Sequence, residues 1–156
     1  MFKIQVLSGT YLPPSNLSAI VFRLCLSLVL GAIIGLDREL RHKPAGLRTH
    51  MLVSFGSALF VLIPLQLVAA ESQNELSRVI QGIVSGVGFL GAGVILHESQ
   101  QESRPFEVHG LTTAAAIWVA SALGIAAGCG LWQTGLIAAL MSLVVLRVFK
   151  NIEGDR

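Results

Sequence analysis

The side chains able to bind something are crowded into one short stretch. Between positions 37 and 50 stand Asp37, Arg38, Glu39, Arg41, Lys43, Arg48, Thr49 and His50. Lys43-Pro44-Ala45-Gly46 reads as a rigid turn, and Arg48, Thr49 and His50 follow it where a helix should begin. A helix N-terminus presents unpaired N–H groups, and basic side chains beside it make an anion site for phosphate or a carboxylate. Asp37 and Glu39, at the end of the preceding helix, support the opposite chemistry. They could pair those bases, or offer hard oxygens to Mg²⁺ through its water shell. Residue types alone leave the sign of the ligand open. The plainer alternative is a basic loop that sets topology and touches anionic headgroups.

Other polar residues lie within long apolar runs. Arg23 sits about two turns into the first run; an intramembrane arginine faces the bundle interior or a wet cavity, unless it snorkels to the headgroups. Gln81 and Ser85 in the third run, with Thr112 and Thr113 opening the fourth, fit helix-to-helix hydrogen bonds better than ligand binding. His50, His97 and His109 fall at helix ends, as solvated or capping residues, with pH sensing the minority reading. Gly86-Val87-Gly88-Phe89-Leu90-Gly91 spells G-x-G-x-x-G, but it is embedded in an apolar run with no preceding strand, which rejects a dinucleotide site. No phosphate-binding loop, zinc-protease motif or nucleophile elbow occurs, so the expectation is no enzyme, no cofactor and no resident metal site.

These residues are positioned by apolar segments. The chain has 156 residues, 53% of them apolar and 13% charged, and its mean hydropathy is +0.72. Runs at 17–36, 51–70, 79–96, 111–128 and 131–149 are apolar all round and near the ~20 residues that cross a bilayer. The fold class expected is an all-α membrane protein, a polytopic bundle of about five transmembrane helices. Residues 1–16 form an extracytoplasmic segment on this reading, 17–149 the transmembrane domain and 150–156 a cytoplasmic tail. Arg38, Arg41, Lys43 and Arg48 in the first loop, with Arg147, Lys150 and Arg156 near the C-terminus, set against Arg78 alone in the segment 71–78, place the N-terminus outside and the C-terminus inside. A net charge of +2 excludes nucleic acid as a partner. Cys25 and Cys129 have neither disulfide-framework density nor metal-ligand spacing.

A weak internal repeat joins the runs. Residues 46–59 align on 110–123 with six identities in fourteen positions, and 30–36 on 90–96 with four in seven. The unit is a helical hairpin, and the two copies run parallel about an axis along the membrane normal. Chance is the rival explanation, because Gly, Ala and Leu dominate every run. Glycines four apart suggest close helix packing: Gly31 and Gly35, Gly82 and Gly86, and Gly124 and Gly128. Gly88, Gly91 and Gly93 extend the third run's crowding, which also permits a locally unwound helix. Trp118 is expected to pack into the bundle and Trp132 to sit in an interfacial belt. The loop 37–50 carries +2 and the segment 97–109 carries −2, so the two could attract.

Four ordered motifs resemble the MgtC/SapB family of bacterial inner-membrane proteins. They are Gly35-Leu36-Asp37-Arg38-Glu39, Lys43-Pro44-Ala45-Gly46-Leu47-Arg48-Thr49-His50, Gly86-Val87-Gly88-Phe89-Leu90-Gly91-Ala92-Gly93, and Gly110-Leu111-Thr112-Thr113-Ala114-Ala115 with Trp118. The resemblance implies an inner-membrane protein that supports growth under magnesium limitation, acid stress or life inside a host cell. It also implies partial restraint of the proton-translocating ATP synthase, as in pathogen members; the soluble C-terminal domain of those members is not expected here. Two functions are therefore carried forward. One is a regulatory partner of a membrane complex, assembling as a homo-oligomer, a dimer by preference, through its glycine faces. The other is a small Mg²⁺ or phosphate channel or transporter lined by Arg23, the glycine-rich third run and the basic loop. The scarcity of membrane acids favours the first, since Mg²⁺ would find few carboxylates to replace its waters.

Overall fold

The computed structural model describes residues 16–67, 73–101 and 109–152. Five helices follow in order: α1 Leu17–Leu40, α2 Leu47–Leu67, α3 Gln73–Gln101, α4 Leu111–Gly128 and α5 Trp132–Ile152. Leu17–Leu40, Leu47–Gln66, Asn74–His97 and Leu111–Gly128 are long and apolar enough to cross a membrane, and the apolar part of α5, Trp132–Val148, is shorter. The molecule is an all-α membrane bundle. Residues 1–15, 68–72, 102–108 with Glu102, Arg104 and Glu107, and 153–156 lie outside the described residues, as do most of the N-terminal segment and of the C-terminal tail and the attraction expected between segments 37–50 and 97–109.

Helix α1 overruns its apolar run where a polar contact allows it. α1 continues through Asp37 and Arg38 to Leu40 because Asp37 pairs with Arg41 one turn on, Nε lying 3.2 Å from both carboxylate oxygens. His42, at φ 52°, then turns the chain towards α2. The fourth run matches α4 to the residue. Gly110 opens that helix at φ 85° and Gly130 closes the turn into α5 at φ 78°, conformations that a side chain rarely tolerates.

Helices α2 and α4 form the central seam. A Cβ at Gly124 would collide with the Ser54 carbonyl oxygen, and one at Gly128 would lie 2.9 Å from the Ala58 carbonyl oxygen. Ser57 donates to the Val53 carbonyl oxygen at 2.8 Å, so its Oγ is left to accept from Ser121 across the seam at 3.0 Å. On α1, Gly31 and Gly35 admit α2 equally closely: Cβ atoms there would stand 2.6 Å from the His50 carbonyl oxygen and 2.8 Å from Leu47 Cα. Ser54 donates to the Ser27 carbonyl oxygen at 2.7 Å and ties the same pair. Interhelical hydrogen bonds of this kind contribute roughly 0.6 kcal/mol each in a bilayer, so it is backbone-level packing that holds the seam.

The repeat is visible in the contacts. α1 packs on α2 and α4, α3 packs on α4 and α2, and the pattern survives exchanging α1 with α3 and α2 with α4. Ser57 and Ser121, which hydrogen-bond each other, are equivalent positions of the aligned segments. Gly31 meets His50, and their equivalents Gly91 and Ala114 also meet, at 3.4 Å from a Cβ built on Gly91. Only α5 breaks the pattern, by resting on α1 and α4 alone.

Two packing expectations need correction. Among the described residues Gly82, Gly86, Gly88 and Gly93 pack closely against no other helix, for a Cβ on any of them would meet nothing within 4 Å. Their crowding does not unwind α3, which is a continuous helix. Trp118 is 50% exposed on the outer side of α4, because the seam face of that helix is taken by Ser121, Gly124 and Gly128. An identical glycine spacing thus serves the interior in α1 and α4 and an open face in α3.

Candidate functional site

The charged end of the bundle is where α1 finishes, α2 and α4 begin and α5 approaches its end. Its hub is Asp37, only 4% exposed, which accepts from Arg41 Nε at 3.2 Å and from Arg147 Nε at 2.9 Å. Arg147 comes from α5, 110 residues away in sequence, and the ion pair fastens α5 to α1. Next to it, the buried Arg38 donates through Nη2 to Thr113 Oγ1 of α4 at 2.6 Å. A cation buried at a helix end is tolerable when, as here, it is hydrogen-bonded inside the bundle.

The anion at the N-terminus of α2 is the chain's own. Glu39 Oε2 accepts from the Leu47 backbone N–H at 3.0 Å and fills the position that a bound phosphate would take. A Cβ on Gly46 would meet the Glu39 carboxylate, the flexible end of an exposed side chain, so a substitution there would displace that contact. His50, fully buried, directs Nδ1–H to the Gly46 carbonyl oxygen at 2.9 Å, which leaves Nε2 as an acceptor. That Nε2 has no hydrogen-bond partner among the described residues. Thr49 is half-buried, whereas His42, Lys43 and Arg48 are exposed on the outer side of the loop.

The positions singled out from the sequence therefore separate. Asp37, Arg38, Glu39, Arg41, His50 and Thr113 come together as an internally paired cluster, while Lys43, Arg48 and Thr112 are exposed. Arg23 lies at the other end of the bundle. It is 4% exposed and donates through Nη1 to the Gly128 carbonyl oxygen at 3.0 Å, so it caps the C-terminus of α4 from inside and does not snorkel. Gln81 and Ser85 are exposed on α3. The partners Arg147, Ser54 and Ser57 were not legible as such; the repeat alignment, which sets Ser57 opposite Ser121, is the one signal that pointed to the seam. No cluster of three or more potential metal ligands exists among the described residues.

A protein called SrpB from Synechococcus elongatus is 48% identical over 149 residues, covering 92% of this chain and 81% of its own length. "Putative magnesium transporter YhiD" of Escherichia coli is 39% identical over 137 residues, 85% of this chain and 61% of its own. The MgtC protein of Brucella abortus is 42% identical over 123 residues, 78% of this chain and 48% of its own. The chain thus spans about half to four-fifths of the length of these relatives. No solved structure matches. The family model described as the MgtC family matches residues 24–154, and the chain belongs to that family.

Proposed function

We propose that this protein is a non-enzymatic component of bacterial magnesium and acid-stress homeostasis that acts as a regulatory partner of a membrane complex such as ATP synthase. In this reading the charged end faces the cytoplasm of an inner membrane, as the excess of Lys and Arg there requires. One observation carries the reading: the charges of the 37–50 segment are divided between two jobs. Asp37, Arg38, Glu39 and Arg41 are spent within the chain, and Lys43 and Arg48 are left exposed. Arg48 stands in the first turn of α2, where the helix dipole opposes a cation by about 0.3–1 kcal/mol. Helix stability gives no reason for it, whereas contact with an acidic surface of a partner does. Beside this, the seam of α2 on α4 is closed at backbone distance, which supports contact over conduction.

The transporter reading is favoured by the name of the Escherichia coli relative and by the unpartnered Nε2 of His50 at the buried end of the bundle. Lys43→Glu with Arg48→Glu separates the two. In a strain lacking its own copy and grown at limiting magnesium, the double variant is expected to insert normally yet fail to restore growth. Full restoration by the charge-reversed chain would overturn the partner reading.

A further inference from the structure

We infer that the groove between α2 and α3 is the seat of α3 from a second copy of this chain. The groove is apolar, about 530 Å³ in volume, and Gly56, Gly82 and Gly86 contribute to its walls with Leu52, Phe60 and Leu90. None of the three glycines has a neighbour within 4 Å of a built Cβ.

The repeat identifies what covers it. α5 rests on α1 and α4, and exchanging the two hairpins carries that seat onto α3 and α2, where the described residues supply no helix. The correspondence holds at residue level: α5 brings Gly135 against Leu30, 2.7 Å from a built Cβ to Leu30 Cδ1, and the repeat equivalent of Leu30 is Leu90. Leu90 is 48% exposed and lines the groove. α5 enters its seat with small residues, Gly135 and Ala139, spaced four apart and both buried. An occupant of the equivalent seat needs the same stripe and the same direction across the membrane. Counting spans from α3, α5 runs parallel to it, and α3 carries Gly82 and Gly86 at the required spacing.

A two-fold axis along the membrane normal keeps that direction and makes the contact isologous, each α3 lying in the other's groove. It also covers Gln81 and Ser85, whose polar groups otherwise lie exposed in the middle of an apolar span and can hydrogen-bond their symmetry mates. Phe89, 80% exposed on the same side of α3, is buried by the same contact.

The experiment uses the full chain in native membranes with Cys25 and Cys129 replaced by serine. Ser85→Cys places a thiol at the inferred interface, and Val145→Cys places one on the outer face of α5. Oxidative cross-linking is expected to give a disulfide dimer with Ser85→Cys at a yield about tenfold or more above that of Val145→Cys, and adding Gly86→Leu should abolish it. Gly86→Leu has open space within the single chain, so its monomer should keep the thermal stability of the parent. Cross-linking through Val145→Cys alone, monomer from both, or a dimer that tolerates Gly86→Leu would each overturn the inference. None of these results bears on the Lys43 and Arg48 contact, which is tested separately.

Discussion

Gly124→Ala adds a single methyl group to the middle of the seam. The new Cβ would collide with the Ser54 carbonyl oxygen and lie 2.7 Å and 2.8 Å from the carbonyl carbon and Cα of the same residue. These are backbone atoms of a packed helix and cannot swing aside, so α2 and α4 must part by roughly 1 Å. Overpacking of this sort costs about 1–3 kcal/mol. Opening the seam also stretches the 3.0 Å contact of Ser57 with Ser121, worth roughly 0.6 kcal/mol and up to about 1.7. Alanine's higher helix propensity returns roughly 0.5–1 kcal/mol here, so the expected net loss is about 1–4 kcal/mol, or some 2–15 °C in thermal midpoint for a chain of this size. Gly93→Ala is the matched control, since its methyl meets no atom and its higher helix propensity stabilises by roughly 0.5–1 kcal/mol. Both variants are followed by thermal unfolding in a detergent that holds the chain monomeric. A Gly124→Ala midpoint equal to that of the parent, or raised as that of Gly93→Ala is, would refute the closed seam.

Two further outcomes follow from the polar ends. Asp37→Asn leaves Arg147 and Arg41 without their shared carboxylate; because these arginines are 58% and 28% exposed, the loss is expected at about 1–3 kcal/mol, below that of a fully buried pair. A double-mutant cycle with Arg147→Met measures the coupling, and strictly additive losses would show that α5 is not fastened there. Cys129, in the turn after α4, has its thiol pushed above its ordinary value of 9.0 by burial, with Arg23 pulling the other way. Thiolate is the reactive form, so a water-soluble maleimide should label Cys129 slowly at pH 7 and steadily faster past pH 9 in a Cys25→Ser background. A rate already at its plateau by pH 8 would contradict the buried thiol.

Much of the fold was legible because hydrocarbon imposes a single pattern on a chain that crosses it. The fourth apolar run matches α4 to the residue, and α1 exceeds its run where a charge finds a partner, as Asp37 and Arg41 do at its end. Family membership was legible too, since it rests on ordered motifs. Pairing was not. Arg38 with Thr113 and Asp37 with Arg147 join residues 75 and 110 positions apart, and nothing local distinguishes Arg147 from the charges that only mark topology. Glycine spacing failed for a similar reason. Gly82 and Gly86 look like Gly124 and Gly128 on their own helix, and only the neighbour decides that the second pair meets backbone while the first faces open space. Arg23 was identified as an unusual charge, but its partner is a main-chain carbonyl, a group that no side-chain pattern encodes.

The most direct test of the account is Mg²⁺ entry into sealed proteoliposomes that hold the purified chain and an internal magnesium indicator, with an imposed gradient and potential. With α2 and α4 locked together at Gly124 and Gly128, the signal should stay at the level of protein-free vesicles. Saturable entry that scales with the amount of protein would contradict the account and make the chain a carrier in its own right.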